Sequence, residues 1–245
     1  MTVYEARPNT MTYGYPIGML CAEWNVPFIP GDLNNAWTFD FPIRYLSVKG
    51  AVGADVLAGR GQDYAHLFVE AAQQLESEGV RAITGNCGYM AAYQREVAAA
   101  VNIPVFMSSL LQLPLVRPMV APDKKIAVMC ASESTLSPQI LESIGLTNLD
   151  GILIRGIDHH PHWNEVIIQE RGTLDEQLLR SEVVATARAV VEEDPAVGGF
   201  LFECTDLPPY SAAVQQATGL PVFDAAGFIR YVFDAVAPRT YTGLF

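Results

Sequence analysis

Residues 79–106 read GVRAITGNCGYMAAYQREVAAAVNIPVF, and residues 196–223 read AVGGFLFECTDLPPYSAAVQQATGLPVF. The two stretches align without a gap, and the identical positions include Cys87 with Cys204 and the Pro-Val-Phe triplet that ends each stretch. A weaker match lies upstream, where IGMLCAE at 17–23 resembles IAVMCASE at 126–133. Both matches follow the order that a duplicated domain requires, so the sequence predicts two similar halves.

Each half is expected to run from an apolar strand through a long loop, a helix, a second strand, a cysteine turn and a helix to a Pro-Val-Phe strand. Strands that alternate with helices are typical of parallel sheets. We therefore predict an α/β fold of two pseudo-symmetric parallel-sheet lobes, with the active site in the cleft between them. The first lobe would comprise residues 1–117 and 225–245, and the second lobe residues 118–224.

The composition excludes several classes of protein. Half of the 245 residues are hydrophobic and 17% are charged, which suits a packed core. A net charge of −12 without a basic run argues against nucleic-acid binding. The longest apolar stretch, residues 97–121, is interrupted by prolines and polar residues, and Glu5 and Arg7 replace the start of a signal peptide. We expect a cytoplasmic protein without membrane contact.

Cys87 and Cys204 are the candidate catalytic residues. Each follows a predicted strand and precedes a helix, which places it at the sheet edge where α/β proteins bind ligands. The start of a helix is expected to lower the pKa of each thiol and to bind a carboxylate through free N–H groups. Two opposed thiols can exchange the α-proton of a carboxylate substrate without metal or cofactor. Cys21 and Cys130 lie within apolar strands, where cysteine usually acts as a small hydrophobe.

Four segments carry a resemblance to a known family: NCGYM at 86–90, ECTDLPPY at 203–210, FMSSLLQLP from Phe106 and IPGDLNNAWTFDFP from Ile29. They resemble the aspartate/glutamate racemase superfamily, which includes glutamate, aspartate and hydantoin racemases, maleate isomerase and arylmalonate decarboxylase. The resemblance implies two α/β lobes, cofactor-independent chemistry, an acid/base cysteine pair, a substrate-binding Thr205 and a homodimer. One departure is that Gly88 and Tyr89 stand where the family usually has a polar residue after the first cysteine.

Further candidate substrate-binding residues lie in the turns and at strand ends: Glu23, Asn86, Gly88, Tyr89, Ser108, Ser132, Thr135 and Thr205. Ser108 is alternatively a cap of the helix that follows it, and for Ser132 capping is the favoured primary role. Asp32 lies in a long irregular stretch that could close over the cleft or form only a turn. The three histidines in DHHPHW at 158–163 are separated by a proline and lack partners at ligand spacing, so no metal site is predicted.

These observations predict a cofactor-independent racemase or epimerase. Cys87 and Cys204 would exchange the α-proton of a carboxylate-bearing amino acid or derivative, either Asp/Glu-like or hydantoin-like. Three alternatives remain open: a maleate-type cis-trans isomerase, a malonate-type decarboxylase, and a catalytically silent module that binds a small acid.

Overall fold

Two four-stranded parallel sheets form the centre of the molecule in the computed structural model, which describes residues 3–8, 10–60 and 62–244. The first sheet has the order β2-β1-β3-β4 and the second the order β6-β5-β7-β8. The strands are β1 (Ile17–Glu23), β2 (Ile43–Val52), β3 (Ala82–Gly85), β4 (Val105–Phe106), β5 (Lys125–Cys130), β6 (Ile152–Gly156), β7 (Val197–Phe202) and β8 (Val222–Phe223). Because the same order occurs twice, the predicted fold class of two pseudo-symmetric α/β lobes is confirmed. Residues 1, 2, 9, 61 and 245, which the predicted first lobe includes, lie outside the described residues.

Helices flank both sheets. They are α1 (Gly53–Leu57), α2 (Ala65–Glu78), α3 (Gln94–Ala100), α4 (Leu113–Val116), α5 (Pro138–Ser143), α6 (Pro161–Trp163), α7 (Glu176–Glu193), α8 (Ser211–Thr218) and α9 (Ala225–Val236). The ends of the long helices follow local chemistry: Asp175 caps α7 by accepting hydrogen bonds from two backbone N–H groups, and Gly79 ends α2 with a φ of 90°. Among the helices of the described residues, none has both the length and the apolar character that a membrane-spanning helix requires.

Two strands were not expected from the sequence. β2 and β6 occupy segments for which we predicted only a loop, and each is the edge strand of its sheet. β2 pairs with β1 from Ile17 opposite Ile43 to Cys21 opposite Ser47. The prediction failed because most of β2 is half-buried or exposed, so its sequence lacks the continuous apolar run that identifies the central strands.

The central strands carry the core. β1, β3, β5 and β7 are buried along almost their whole length, since helices or the other lobe cover both faces of a parallel sheet. The amphipathic helix α9 packs on the first sheet, where Ala225 and Ile229 join the cluster that contains Ile17 and Met19. The last helix of the chain therefore returns to the first sheet.

The ends of β3 and β7 position the two candidate cysteines. Cys87 comes two residues after β3 and Cys204 two residues after β7, and each is followed by a short turn rather than a long helix. A six-residue 3₁₀ helix (Gly88–Tyr93) follows Cys87, and a three-residue 3₁₀ turn (Pro208–Tyr210) comes after Cys204. The carboxyl ends of these strands meet between the lobes.

Candidate active site

Both cysteines line one pocket between the lobes. The pocket is narrow, with a cavity volume of about 20 Å³, and each cysteine is 7% exposed. We call it the thiol pocket; its walls are formed by Trp24, Val26, Phe28, Asn34, Leu57, Asn86, Cys87, Tyr89, Ala131, Ile167, Cys204, Thr205 and Asp206. None of these described lining residues is a lysine, arginine or histidine. The pocket is therefore aromatic and apolar on most sides, with one acidic side chain and two thiols.

The two cysteine turns contact each other crosswise. The Thr205 hydroxyl donates a 2.6 Å hydrogen bond to the backbone oxygen of Asn86. In the equivalent pair, Gly88 lies so close to Glu203 that an added Cβ would come within 2.1 Å of Glu203 Oε1. In each case the residue after one cysteine contacts the residue before the other. This arrangement brings both sulfurs to the same pocket.

Burial raises the pKa of both thiols, contrary to the lowered values that the helix starts led us to expect. For Cys87 the Glu203 carboxyl adds to the effect of burial, and the backbone N–H groups of Tyr89 and Met90 oppose it. For Cys204 the carboxyls of Asp206 and Glu203 add to burial. The prediction of lowered pKa values was wrong because desolvation of a thiolate outweighs a few N–H groups at the start of a short turn. Both thiols are therefore neutral at neutral pH.

A carboxyl pair lies beside Cys204. The thiol donates a hydrogen bond to Asp206 Oδ2 at 3.3 Å, and the side chains of Asp206 and Asp32 are themselves hydrogen-bonded. Burial raises the pKa of both carboxyls; the charge of Asp206 raises that of Asp32 further, whereas the hydrogen bond from Asp32 lowers that of Asp206. Two carboxyls in contact cannot both ionise at neutral pH, so the pair shares one proton, and the hydrogen bond between them favours that proton on Asp32.

Glu203 is a second buried carboxyl. Its side chain is fully buried between the turns, and neither oxygen makes a hydrogen bond of normal geometry. Burial raises its pKa to about 8; the backbone N–H of Ala131 opposes this shift and the charge of Asp206 adds to it. Glu203 is therefore mainly protonated at neutral pH.

Aromatic side chains form the wall of the pocket that follows β1. The Trp24 ring lies against Gly53, where an added Cβ would be 2.3 Å from the indole. The backbone N–H of Asn25 donates a 2.6 Å hydrogen bond to Glu170 Oε2 of the second lobe. Ile167 enters the pocket from a π-helical turn (Asn164–Ile168), and such turns recur at functional sites.

Three of the predicted substrate-binding residues, Asn86, Tyr89 and Thr205, line the thiol pocket. Their polar groups already have protein partners: the Asn86 side chain binds the backbone of Ala22, and the Tyr89 hydroxyl donates a 2.6 Å hydrogen bond to the Ser132 oxygen. These three residues therefore offer a ligand mainly van der Waals contact rather than free hydrogen-bonding groups. Their role in substrate binding stays a prediction.

The other five predicted residues, Glu23, Gly88, Ser108, Ser132 and Thr135, are not among the lining residues. Ser108 caps the following 3₁₀ turn through Leu110 N, Ser132 binds Asp158 Oδ2 and Ser134, and the Thr135 hydroxyl donates to that of Tyr89. Glu23 is exposed beside an adjoining open pocket.

The histidines have other contacts. His160 Nε2 lies 2.9 Å from the Thr186 hydroxyl, and His162 Nε2 accepts a hydrogen bond from Asp175 N. Across the described residues, no group of three or more histidine, cysteine, aspartate or glutamate side chains could hold a metal ion.

The prediction missed the pocket residues that, unlike the two cysteines, do not recur at equivalent positions of the two halves. Asp206 stands two positions after Cys204 in ECTDLPPY, a spacing that could have identified it as a partner of that cysteine. Trp24 and Phe28 follow β1 directly, and an aromatic residue at the carboxyl end of a central strand is a signal that could have identified them. Ile167 could not be placed because its position depends on the π-helical turn.

No protein-family model matches the sequence. The fold is shared with solved structures: the allantoin racemase of Klebsiella pneumoniae superposes with a TM-score of 0.62 at 13% identity, covering 91% of this chain and 87% of that one. Unliganded arylmalonate decarboxylase superposes with a TM-score of 0.58 at 15% identity, covering 93% and 94%. The predicted fold of the aspartate/glutamate racemase superfamily is thereby confirmed.

Sequence relatives are more specific. The chain is 31% identical over 215 residues to a dimethylsulfoniopropionate lyase of Durusdinium sp. clade D, covering 85% of this chain and 71% of the relative. It is 33% identical over 217 residues to dimethylsulfoniopropionate lyase 3 of Emiliania huxleyi (strain CCMP1516), covering 85% of this chain but 56% of that relative. The chain thus spans little more than half of the Emiliania protein. By its identity to the Durusdinium protein over most of both lengths, the chain belongs to the dimethylsulfoniopropionate lyase family.

Proposed function

We propose that the chain cleaves dimethylsulfoniopropionate, or a closely related β-sulfonium carboxylate, by elimination. Such a substrate carries a carboxylate at one end and a positively charged dimethylsulfonium group on the β-carbon. Removal of the α-proton by a thiolate sends the C–H electron pair into a new carbon–carbon double bond. The β-carbon–sulfur bond breaks, and the products are dimethyl sulfide, acrylate and a proton.

This reaction shares its first step with the racemisation that the sequence predicted. Both begin when a base removes a proton from the carbon beside a carboxylate. In a racemase the second thiol returns a proton to the opposite face of the α-carbon. In the elimination no proton returns, because the electron pair forms the double bond and the leaving group departs from the β-carbon. A site with one active base and one supporting thiol is sufficient for the elimination.

The observation that carries the proposal is the chemistry of the pocket walls. Trp24 and Phe28 offer aromatic rings, and Asp206 offers a carboxyl, whereas none of the described lining residues is basic. Aromatic walls attract onium cations through their ring faces. The same walls disfavour the dianionic substrates of a malonate decarboxylase or a maleate isomerase, because a second carboxylate would have no cation to pair with.

A sulfonium substrate also addresses the raised pKa of the thiols. Desolvation keeps Cys87 and Cys204 protonated at neutral pH, and a cation within a few ångströms favours the thiolate. The substrate thus promotes ionisation of the base that attacks it. A substrate without a positive charge would leave both thiols neutral.

The test is sulfide release by the purified, reduced chain in heavy water. We expect dimethyl sulfide in the headspace and acrylate in the proton NMR spectrum, both lost in Cys204→Ser. Cys21→Ser is the matched control, because Cys21 lies outside the thiol pocket and burial raises its pKa to about 12; it should retain activity. α-Proton exchange in amino acids without sulfide release would favour the racemase instead, which the presence of two thiols in the pocket supports.

A further inference from the structure

The two carboxyls beside Cys204, Asp32 and Asp206, come from different lobes and contact each other. Asp206 follows β7 in the second lobe, whereas Asp32 belongs to the loop after β1 in the first lobe and is 2% exposed. The Cys204 thiol and the Asp32 carboxyl both reach the Asp206 carboxyl. No equivalent exists beside Cys87, because Tyr89 occupies the position that matches Asp206.

The loop that carries Asp32 is fixed by its own hydrogen bonds. Asn34 N donates to Asp32 Oδ1 at 2.7 Å, and the Thr38 hydroxyl donates to the Asp32 backbone oxygen at 2.5 Å. Gly31, with a φ of 102°, packs directly on Pro209, where an added Cβ would be 3.0 Å from the proline Cα. The loop therefore presses Asp32 onto the turn of the second lobe.

Extending the proposed function, on which this inference rests, we propose that Asp206 accepts the thiol proton of Cys204 and so makes Cys204 the base of the elimination. Neutral Asp32 is the positioning residue, because its hydroxyl donates to Asp206 and keeps that carboxyl ionised until the thiol proton arrives. Cys87 then supports the reaction without removing the α-proton.

The proton balance of the step is complete. The S–H bond of Cys204 breaks and an O–H bond forms on Asp206, which leaves a thiolate. The thiolate takes the α-proton, the C–H electron pair forms the double bond, and dimethyl sulfide leaves with the electron pair of the carbon–sulfur bond. Cys204 is again a thiol, and Asp206 releases its proton to solvent as the proton of the overall reaction.

Five other titratable groups among the described residues face the Asp206–Asp32 pair. They are Cys204, Glu203, Cys87, Tyr210 and Tyr45. Burial raises the pKa of both tyrosines, so they stay neutral up to high pH. The Glu203 carboxyl affects the pKa of both thiols. The alkylation rate of Cys87 is therefore an internal control for the ionisation of Glu203.

The experiment is the pH dependence of iodoacetamide alkylation at each cysteine of the free, full chain, mapped by mass spectrometry. If Asp206 accepts the thiol proton, the alkylation rate of Cys204 should rise with pH in two steps. The first rise accompanies the ionisation of Asp206; the rate then levels off, and it rises again at higher pH as the thiol itself ionises. In Asp206→Asn the first rise should vanish, and kcat for sulfide release should fall about 100-fold. Cys87 should show no Asp206-dependent rise, and the exposed-residue control Asp123→Asn should keep both rises at Cys204.

Two variants of Asp32 test the positioning role even if Asp206→Asn does not fold. Asp32→Asn still offers an N–H to Asp206, so the first rise should stay near its wild-type pH and kcat should fall only about threefold. Asp32→Ala removes the donor, so the first rise should move to higher pH and kcat should fall about 30-fold.

A single rise at Cys204 in the wild type, or a first rise that persists in Asp206→Asn, would overturn the inference. Equal profiles in the two Asp32 variants would overturn the role of Asp32. Because alkylation needs no substrate, two rises without sulfide release would mean that the proposed function fails while the proton transfer stands.

Discussion

The turns after β3 and β7 occupy equivalent places in the two lobes but differ at almost every residue around the cysteine. The first reads Asn-Cys-Gly-Tyr at 86–89, and the second reads Glu-Cys-Thr-Asp at 203–206. The sulfurs share one pocket, yet only Cys204 has a carboxyl as a hydrogen-bond partner. A two-base racemase needs an acid/base group on each face of the reacting carbon, whereas an elimination needs only one base. The difference between the turns teaches that the symmetry of the fold does not extend to its chemistry.

Replacing each of the two cysteines by alanine in turn is the change with the largest expected effect on this comparison. We expect Cys204→Ala to lower kcat for sulfide release by about 10³-fold, and Cys87→Ala by about tenfold, because only Cys204 has a carboxyl to accept its proton. Headspace analysis of dimethyl sulfide measures both rates, and thermal unfolding controls for stability. Equal losses, together with α-proton exchange in recovered substrate, would restore the symmetric two-base interpretation.

Glu203 can ionise whereas its counterpart Asn86 cannot, and the pH dependence of stability should reveal this difference. The pKa of Glu203 is about 8 in the folded chain, above its ordinary value of 4.5. Between these values the native state keeps a proton that the unfolded state has lost, so stability falls as pH rises and levels off above about pH 8.

Denaturant unfolding between about pH 5 and about pH 8 measures the effect. The free energy of unfolding of the wild type should fall more steeply than that of Glu203→Gln, by up to about 1.4 kcal/mol per pH unit. Parallel curves for the two proteins would show that Glu203 ionises normally. Asn86→Gln, in the equivalent position, is the control whose slope should match that of the wild type.

The crossed contacts of Gly88 and Thr205 allow a smaller comparison. Gly88→Ala forces a methyl group against Glu203 and should cost about 2–3 kcal/mol of stability. Thr205→Val keeps the shape but removes the hydroxyl that donates to Asn86, which should cost about 1 kcal/mol. Urea unfolding at one pH ranks the two variants. The reverse order would mean that the first turn yields more easily than the second.

The duplication made the fold predictable from the sequence. The repeated cysteine and Pro-Val-Phe positions led to two equivalent sheets, and α9 begins at Ala225, where the Pro-Val-Phe strand ends. The edge strands β2 and β6 were missed because a strand that is open on one side does not need a continuous apolar sequence. Element order was thus readable from local pattern, whereas strand pairing was not.

The two thiols of the candidate site were predictable, but their environment was not. Cys87 and Cys204 stand at matching positions of a repeat, which a sequence shows directly. The raised pKa values and the approach of Asp32 to Asp206 depend on burial and on contacts between residues far apart in the chain. Asp206 illustrates the limit, because its spacing from Cys204 was visible while its hydrogen bond to Asp32 was not.

The crosswise contacts of the two turns have the form of an interface in a two-fold homodimer, in which residue i contacts j and j contacts i. In a true homodimer every substitution appears at both related positions at once. Joining the two halves in one chain removes that constraint, since Thr205 can change while Gly88 remains. The covalent fusion is therefore what lets one wall of the pocket acquire an acid while the other keeps a tyrosine.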